Sequence, residues 1–275
     1  MRCLVKIGLI TDRYHLENKS IQFLKYCKKF AEISIYTEED YFLDFSNFIF
    51  DENIFFVKAK GDLVINLIKL IEQETSIPVI NSSSSISLAF NRFLNSVFLR
   101  RAGIRIPDFT LNPVGTPPLY NEYIMKNIND QKNYAFRPQI QKKKGFLKVT
   151  DMRAIDESSG IKPKYTHVYF QDFIKSKWEY KVYLIGDDIF YFKQIPVLVD
   201  PDKMKSRVEI EKDLELTEIA YKATEAIGLK ISSMDFLKSK EGVYYLTDIN
   251  SSPNFNYLKN GPKIVGDYII RQAKS

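Results

Sequence analysis

The chain has 275 residues and a mass of 32.1 kDa, above the common size of one domain, so two or three compact units are expected. With 45% apolar and 27% charged residues, 17 Tyr and 20 Phe, the composition excludes a disordered chain. Cys3, Cys27, His15 and His167 are the only cysteines and histidines, so a disulfide framework, zinc chemistry and Cys-His nucleophilic catalysis are poorly supplied.

A net charge of +6 and a pI near 9.0 suit nucleic acid, an acidic protein or a phosphorylated small molecule equally. The first residues, MRCLVKIGLITDRY, lack a small-residue cleavage site, and no run of about 18 apolar residues occurs. A soluble, cytoplasmic protein without a membrane partner is the expectation.

In chain order, residues 4–10 read as a strand, 20–30 have helical spacing and 32–36 alternate again, a βαβ opening. A strand at 54–57, a helix at 62–74 and a short strand at 78–81 extend it into a small parallel sheet covered by helices. The serines at 82–85 read as a loop capping an amphipathic stretch over 86–102. The Pro-rich text at 103–118 reads as a linker or domain boundary.

Strands follow at 134–140 and 146–149 around the loop QKKKG, then at 168–173, 181–185 and 189–194, the last two joined by a Gly186-Asp187-Asp188 turn one residue longer than the minimum. A helix over 209–227 stops at Gly228, strands cover 233–237 and 243–249, and a helix spans 263–273.

Asp235 lies on one of the last two strands and Asp248 and Asn250 on the next, two apart and therefore on one face. Paired as a hairpin, these strands bring three oxygen ligands together, the set magnesium takes in nucleotide sites; unpaired, they are two strand-end acids in turns. Arg137, Lys181 and Lys193 sit inside apolar, aromatic strands, where an unpaired cation is costly. Each could face solvent on its own, but three upstream of a candidate metal site point to a triphosphate.

From about residue 78 to the C terminus, the order of segments resembles the ATP-grasp superfamily, most of all its RimK-type glutamate ligases and the related inositol trisphosphate kinases. IPVINSSSSISLAFNRFLNSVFLRRAGIRIPDF resembles the family's opening segment, YAFRPQIQKKKG its first phosphate strand and mobile loop, VYFQDFI its adenine hinge, EYKVYLIGDDIFYFKQ its second lysine strand, and MDF with TDINSSP its metal strands. The NSSP run is close to the ligase form, whereas Asp248, where the ligases usually have Glu, is closer to the kinases. The family usually has Lys-Pro where this chain has Arg137-Pro138; a rival alignment uses Lys126 instead. The loop offers Lys142, Lys143, Lys144 and a single Gly145, which trades backbone cradling of phosphate for point charge, or is a solvated turn.

The resemblance implies α/β and α+β architecture: an N-terminal parallel βαβ (pre-ATP-grasp) domain over 1–102, a central ATP-grasp subdomain over 103–172 and a C-terminal one over 173–275. It implies ATP and magnesium as cofactors. The backbone of Gln171 and Phe173 would meet the adenine edge, and Met234 and Phe236 would pack its ring. Arg137 and Lys181, with Lys144 and Gly145 of the loop, would hold phosphates, and Asp235, Asp248 and Asn250 the metal. Lys193 and Arg207 would cover the transferring group, while Glu179 stays unassigned. The implied activity is an ATP-dependent carboxylate-amine ligase acting on an anionic small molecule or peptide; a polyol phosphate kinase and a non-catalytic nucleotide- or nucleic-acid-binding module are the alternatives. The paired acids beside cations speak against the last, nucleic acid is not an expected partner, and homo-oligomers are left open.

Overall fold

The structure, a computed structural model, describes residues 5–39, 49–113, 116–129, 140–142, 167–196, 199 and 202–275. The opening builds the parallel sheet expected of it. β1 (Val5–Thr11) leads through helices α1 (Arg13–Lys19) and α2 (Ile21–Cys27) to β2 (Ala31–Thr37), then β3 (Ile54–Val57), α3 (Asp62–Glu74) and β4 (Val79–Ile80), in the order β2-β1-β3-β4. The helix read over 20–30 is the shorter α2, which ends at Cys27, and an unforeseen helix, α1, precedes it, the two parted at Ser20.

The serine run does cap a helix: the Ser82 side chain accepts from the Ser85 amide at the start of α4 (Ser83–Phe90). The stretch over 86–102 breaks after that, because Asn91 leaves helical geometry and caps α5 (Arg92–Arg101) with its own side chain.

The linker expected at 103–118 contributes a strand instead. β5 (Phe109–Pro113) pairs with β8 (His167–Asp172), which pairs with β6 (Glu122–Lys126) and through it with β7 (Ile140–Lys142), all antiparallel. The remaining text of the expected strands at 134–140 and 146–149 lies outside the described residues.

A second antiparallel sheet has the order β11-β10-β9-β12-β13, from β9 (Glu179–Ile185), β10 (Asp188–Gln194), β11 (Val208–Glu209), β12 (Ile231–Lys238) and β13 (Tyr244–Asn250). Ile185 pairs with Asp188, so the β9–β10 loop is the two-residue minimum, with Gly186 at φ 58°. Helix α6 (Leu214–Ile227) begins five residues later than its spacing suggested, because Glu209 belongs to β11 and Asp213 is its side-chain cap. It ends at Gly228, whose φ of 81° suits a residue without Cβ. Helix α7 (Gly261–Gln272) closes the chain.

One face of this central sheet buries Val182, Leu184, Tyr191, Met234, Phe236 and Ile249 against α6. On the other face, Tyr183, Ile185 and Phe192 pack with Ile7, Leu9 and Phe23 of the N-terminal unit. Asn81 seals that junction: its Nδ2 donates to the carbonyls of Ile231 and Ser251, at 2.8 and 2.9 Å, and its Oδ1 accepts from the amides of Lys230 and Ile231, at 2.9 and 3.1 Å. Lys58 adds a second tie, its Nζ donating to the Pro253 carbonyl at 2.5 Å above the Phe255 ring. Burial, with Lys19 and Lys60 nearby, holds the Lys58 ammonium well below the usual lysine range.

Candidate functional site

The rest of that second face looks across a cleft to the β5-β8-β6-β7 sheet. Residues directly opposite in an antiparallel ladder share a face, and the register sets out this face in rows. Phe192, Lys181, Asp235 and Asp248 form one row across β10, β9, β12 and β13. Phe190, Tyr183, Ser233 and Asn250 form the next, and Gln194, Glu179 and Leu237 lie on the other side. The hairpin expected for the acids is therefore formed, with Asp235 beside Asp248 and Asn250 one row along.

Lys181 Nζ lies 2.7 Å from Asp235 Oδ1, both side chains being largely buried. Burial pulls the Lys181 ammonium down, but Asp235, with help from Tyr183 and Asp248, outweighs it, and the balance lies above the ordinary lysine value. The Asn250 side-chain oxygen accepts from the Ser252 amide at 2.9 Å, which orients it. Among the described residues no three His, Cys, Asp or Glu side chains gather around a common point. The candidate ligand set is thus two carboxylates and an amide oxygen.

A β-bulge shapes the site. The β12–β13 register shifts after Asp235, leaving Thr247 as the extra residue, a device that re-aims groups beside active sites. The Thr247 hydroxyl donates to the Asp235 carbonyl at 3.0 Å, and its own carbonyl accepts from Lys126 Nζ at 3.2 Å. Lys126 reaches it from the facing sheet, where Ile124, Lys126, Tyr169 and Gln171 share the cleft face. Arg92, first residue of α5, also lines the cleft and donates from Nη1 to the carbonyls of Asn127 and Asn129, at 2.9 and 3.1 Å. The cleft encloses about 250 Å³, and Phe173, Ile174 and Pro196 are among the residues that line it.

Arg207 arrives from the segment before β11. Its Nε donates to Gln194 Oε1 at 2.7 Å, Gln194 Nε2 donates to Glu179 Oε1, and the guanidinium lies 5.1 Å from the Tyr257 ring centre. Arg207 is thereby tied to the same face as Lys181.

Three expectations need correction. Met234 and Phe236 do not reach the cleft: strand alternation turns them to the opposite face, where both are fully buried against α6. Leu237, of the other parity, lines the cleft instead. Lys193 is also on the far face, opposite Tyr180, with Nζ 5.3 Å from the Trp178 ring centre. The Phe173 amide, offered to a purine edge, is taken by the Glu122 carbonyl and Asp172 Oδ1, at 3.2 and 3.0 Å. Gln171 does line the cleft, 3% exposed.

Arg137, Lys144 and Gly145 lie outside the described residues. Sequence reasoning missed Arg92, which reads as an ordinary helix cation after a cap, and gave no weight to Gln194. Lys126 was visible only as the rival to Arg137.

No family model matches the chain. Among curated proteins, 196 residues align at 26% identity with tetrahydromethanopterin:alpha-L-glutamate ligase of Methanocaldococcus jannaschii, covering 65% of this chain and 64% of that one. A further 221-residue match, at 24%, is to D-alanine–D-alanine ligase of Limosilactobacillus fermentum, covering 68% and 55%. The chain thus spans less than two thirds of the length of these curated relatives.

Solved structures are similar over nearly the whole chain. A RimK domain ATP-grasp protein from Sphaerobacter thermophilus has a TM-score of 0.71 at 14% identity, covering 96% of this chain and 99% of its own. D-alanine–D-alanine ligase from Bacillus anthracis, complexed with ATP, has 0.70 at 15%, covering 98% and 97%. The ATP-grasp ligase PsnB, complexed with a minimal precursor, Mg and ADP, has 0.70 at 14%, covering 97% of each chain. The likeness is one of fold, and it takes in the N-terminal unit.

Proposed function

We propose that this chain, which has the ATP-grasp fold, is an ATP- and magnesium-dependent carboxylate-amine ligase that works in the cytoplasm on an anionic small molecule or peptide. The observation that carries the reading is the row Lys181-Asp235-Asp248 facing Lys126 and Arg92 across one cleft. The aligned curated relatives, both ligases, support it over the kinase alternative.

Asp235, Asp248 and Asn250 are hard oxygen donors on one face, and a lysine ammonium already stands against Asp235, so the place favours a cation. The donor set fits magnesium, which would screen the β and γ phosphate oxygens. Lys126, Lys181 and Arg92 neutralise the triphosphate, while Ile124 and Leu237 give the base an apolar bed. Arg207, held through Gln194, is placed to stabilise charge on the transferring group. The substrate carboxylate attacks the γ-phosphorus and ADP leaves; the amine then opens the acylphosphate, releasing phosphate. The N-terminal unit over 1–102, the central part over 103–172 and the remainder over 173–275 act as the three bodies of this arrangement, and Arg137, Lys144 and Gly145 are further candidates for holding the phosphates.

The test is to incubate the protein with magnesium ATP and pools of amino acids or acidic peptides, following phosphate release and product mass. Phosphate released in step with a new amide supports ligation. A stable product heavier by one phosphoryl group, formed without any amine, overturns it in favour of a kinase.

A further inference from the structure

A second groove, of about 240 Å³, opens on the outside of the molecule between the segment leading into β9 and the end of β12. Its lining is Lys175, Ser176, Lys177, Trp178, Tyr180, Lys238, Ser239 and Lys240: four lysines, and no acid. Lys175 is paired with Glu122 at 2.8 Å, and the exposed Glu241 beyond Lys240 turns to Ser239. Lys177 and Lys238 have aromatic rings for partners, Trp178 at 5.8 Å and Tyr244 at 4.2 Å.

The groove is preformed. Ser176 Oγ donates to the Trp178 carbonyl at 2.7 Å and accepts from the amides of Trp178 and Lys238, both at 3.3 Å. One hydroxyl therefore pins the loop to the strand and holds like charges near one another, an arrangement that an anion relieves.

We infer that this groove docks an acidic peptide segment in extended conformation. The lysines come in pairs two residues apart, 175 with 177 and 238 with 240. Lys177 lies in a bend and Lys240 in the turn after β12, so two loops bring four ammonium groups to one groove, and an extended chain with carboxylates at alternate positions, about 7 Å apart, can meet several of them. Nucleic acid fits less well. Base stacking needs an open aromatic face, and the Trp178 ring has the ammonium groups of both Lys193 and Lys177 over it. The inference goes beyond the ligase reading, and its test needs neither ATP nor turnover.

The probe is a fluorescent dodecapeptide alternating Glu and Ser, titrated at low salt and followed by anisotropy, with the Gln-for-Glu peptide and a single-stranded RNA of equal charge as comparisons. The wild-type protein should bind the acidic peptide, lose it as salt rises, and ignore the Gln peptide. Lys177→Glu with Lys240→Glu, both exposed positions, should weaken binding roughly tenfold or more, and the Arg pair should retain it. Circular dichroism checks that both variants fold. Equal binding by the Glu pair, or no binding at low salt, overturns the inference. RNA held more tightly than the peptide, and lost in the same variant, overturns it in favour of a nucleic-acid surface.

Discussion

Lys181 and Asp235 stand opposite each other on neighbouring strands, Nζ to Oδ1 2.7 Å apart, with less than a fifth of either side chain exposed. Each makes the burial of the other tolerable. Lys181→Met should therefore cost about 3 kcal/mol in urea unfolding, since it strands a carboxylate. Adding Asp235→Leu should restore most of that stability but no ATP turnover. A double variant as unstable as the single one would refute the pairing as the source of the loss.

Asp248 completes the row on β13. Asp248→Ala should abolish magnesium-dependent ATP turnover and leave the melting temperature within a few degrees, since removing one of two neighbouring carboxylates relieves repulsion. Retention of most activity would remove Asp248 from the metal site.

Lys126 spans the cleft to the Thr247 carbonyl, whereas the sequence favours Arg137 as the first phosphate cation. Lys126→Ala should weaken ATP binding by roughly tenfold or more, read by calorimetry. Arg137→Ala measured alongside decides between them: a severe Arg137 variant with a silent Lys126 variant reinstates the sequence-based choice, and Arg137→Lys should then be intermediate.

Asn81 uses its two amide hydrogens and both lone pairs on backbone groups of residues 230, 231 and 251. Asn81→Ala leaves these without partners in a buried place, so a loss of about 3 kcal/mol or more is expected in denaturant unfolding. Asn81→Asp should be nearly as harmful, because a carboxylate cannot donate to the Ile231 and Ser251 carbonyls.

Cys27 is fully buried in the N-terminal core, and burial, reinforced by Asp267, pushes its thiol up to about 12. It should resist a thiol-specific chromogenic reagent at pH 8 until the chain is unfolded. The folded state keeps this proton where the unfolded state loses it, so stability should fall as pH rises from about 9 towards 12. Cys27→Ala should flatten that part of the curve.

Much of this molecule was written locally. The βαβ opening, the Ser82 cap, the Gly228 stop and the hairpin of Asp235 and Asp248 follow from short-range periodicity and turn chemistry, because neighbours within a few residues decide them. The Asp248–Asn250 spacing places both on one face as soon as the strand exists. What the tertiary structure decided was which face meets the cleft. Met234 and Phe236 flank Asp235 in the chain, yet alternation sends them to α6, and Lys193 goes to the far side for the same reason. Lys126 and Arg92 enter the site only because a second sheet and a helix lie across from β12 and β13. Strand polarity in a sheet covered on both sides cannot be read from an apolar-rich strand, since both faces are buried and hydrophobicity no longer distinguishes them.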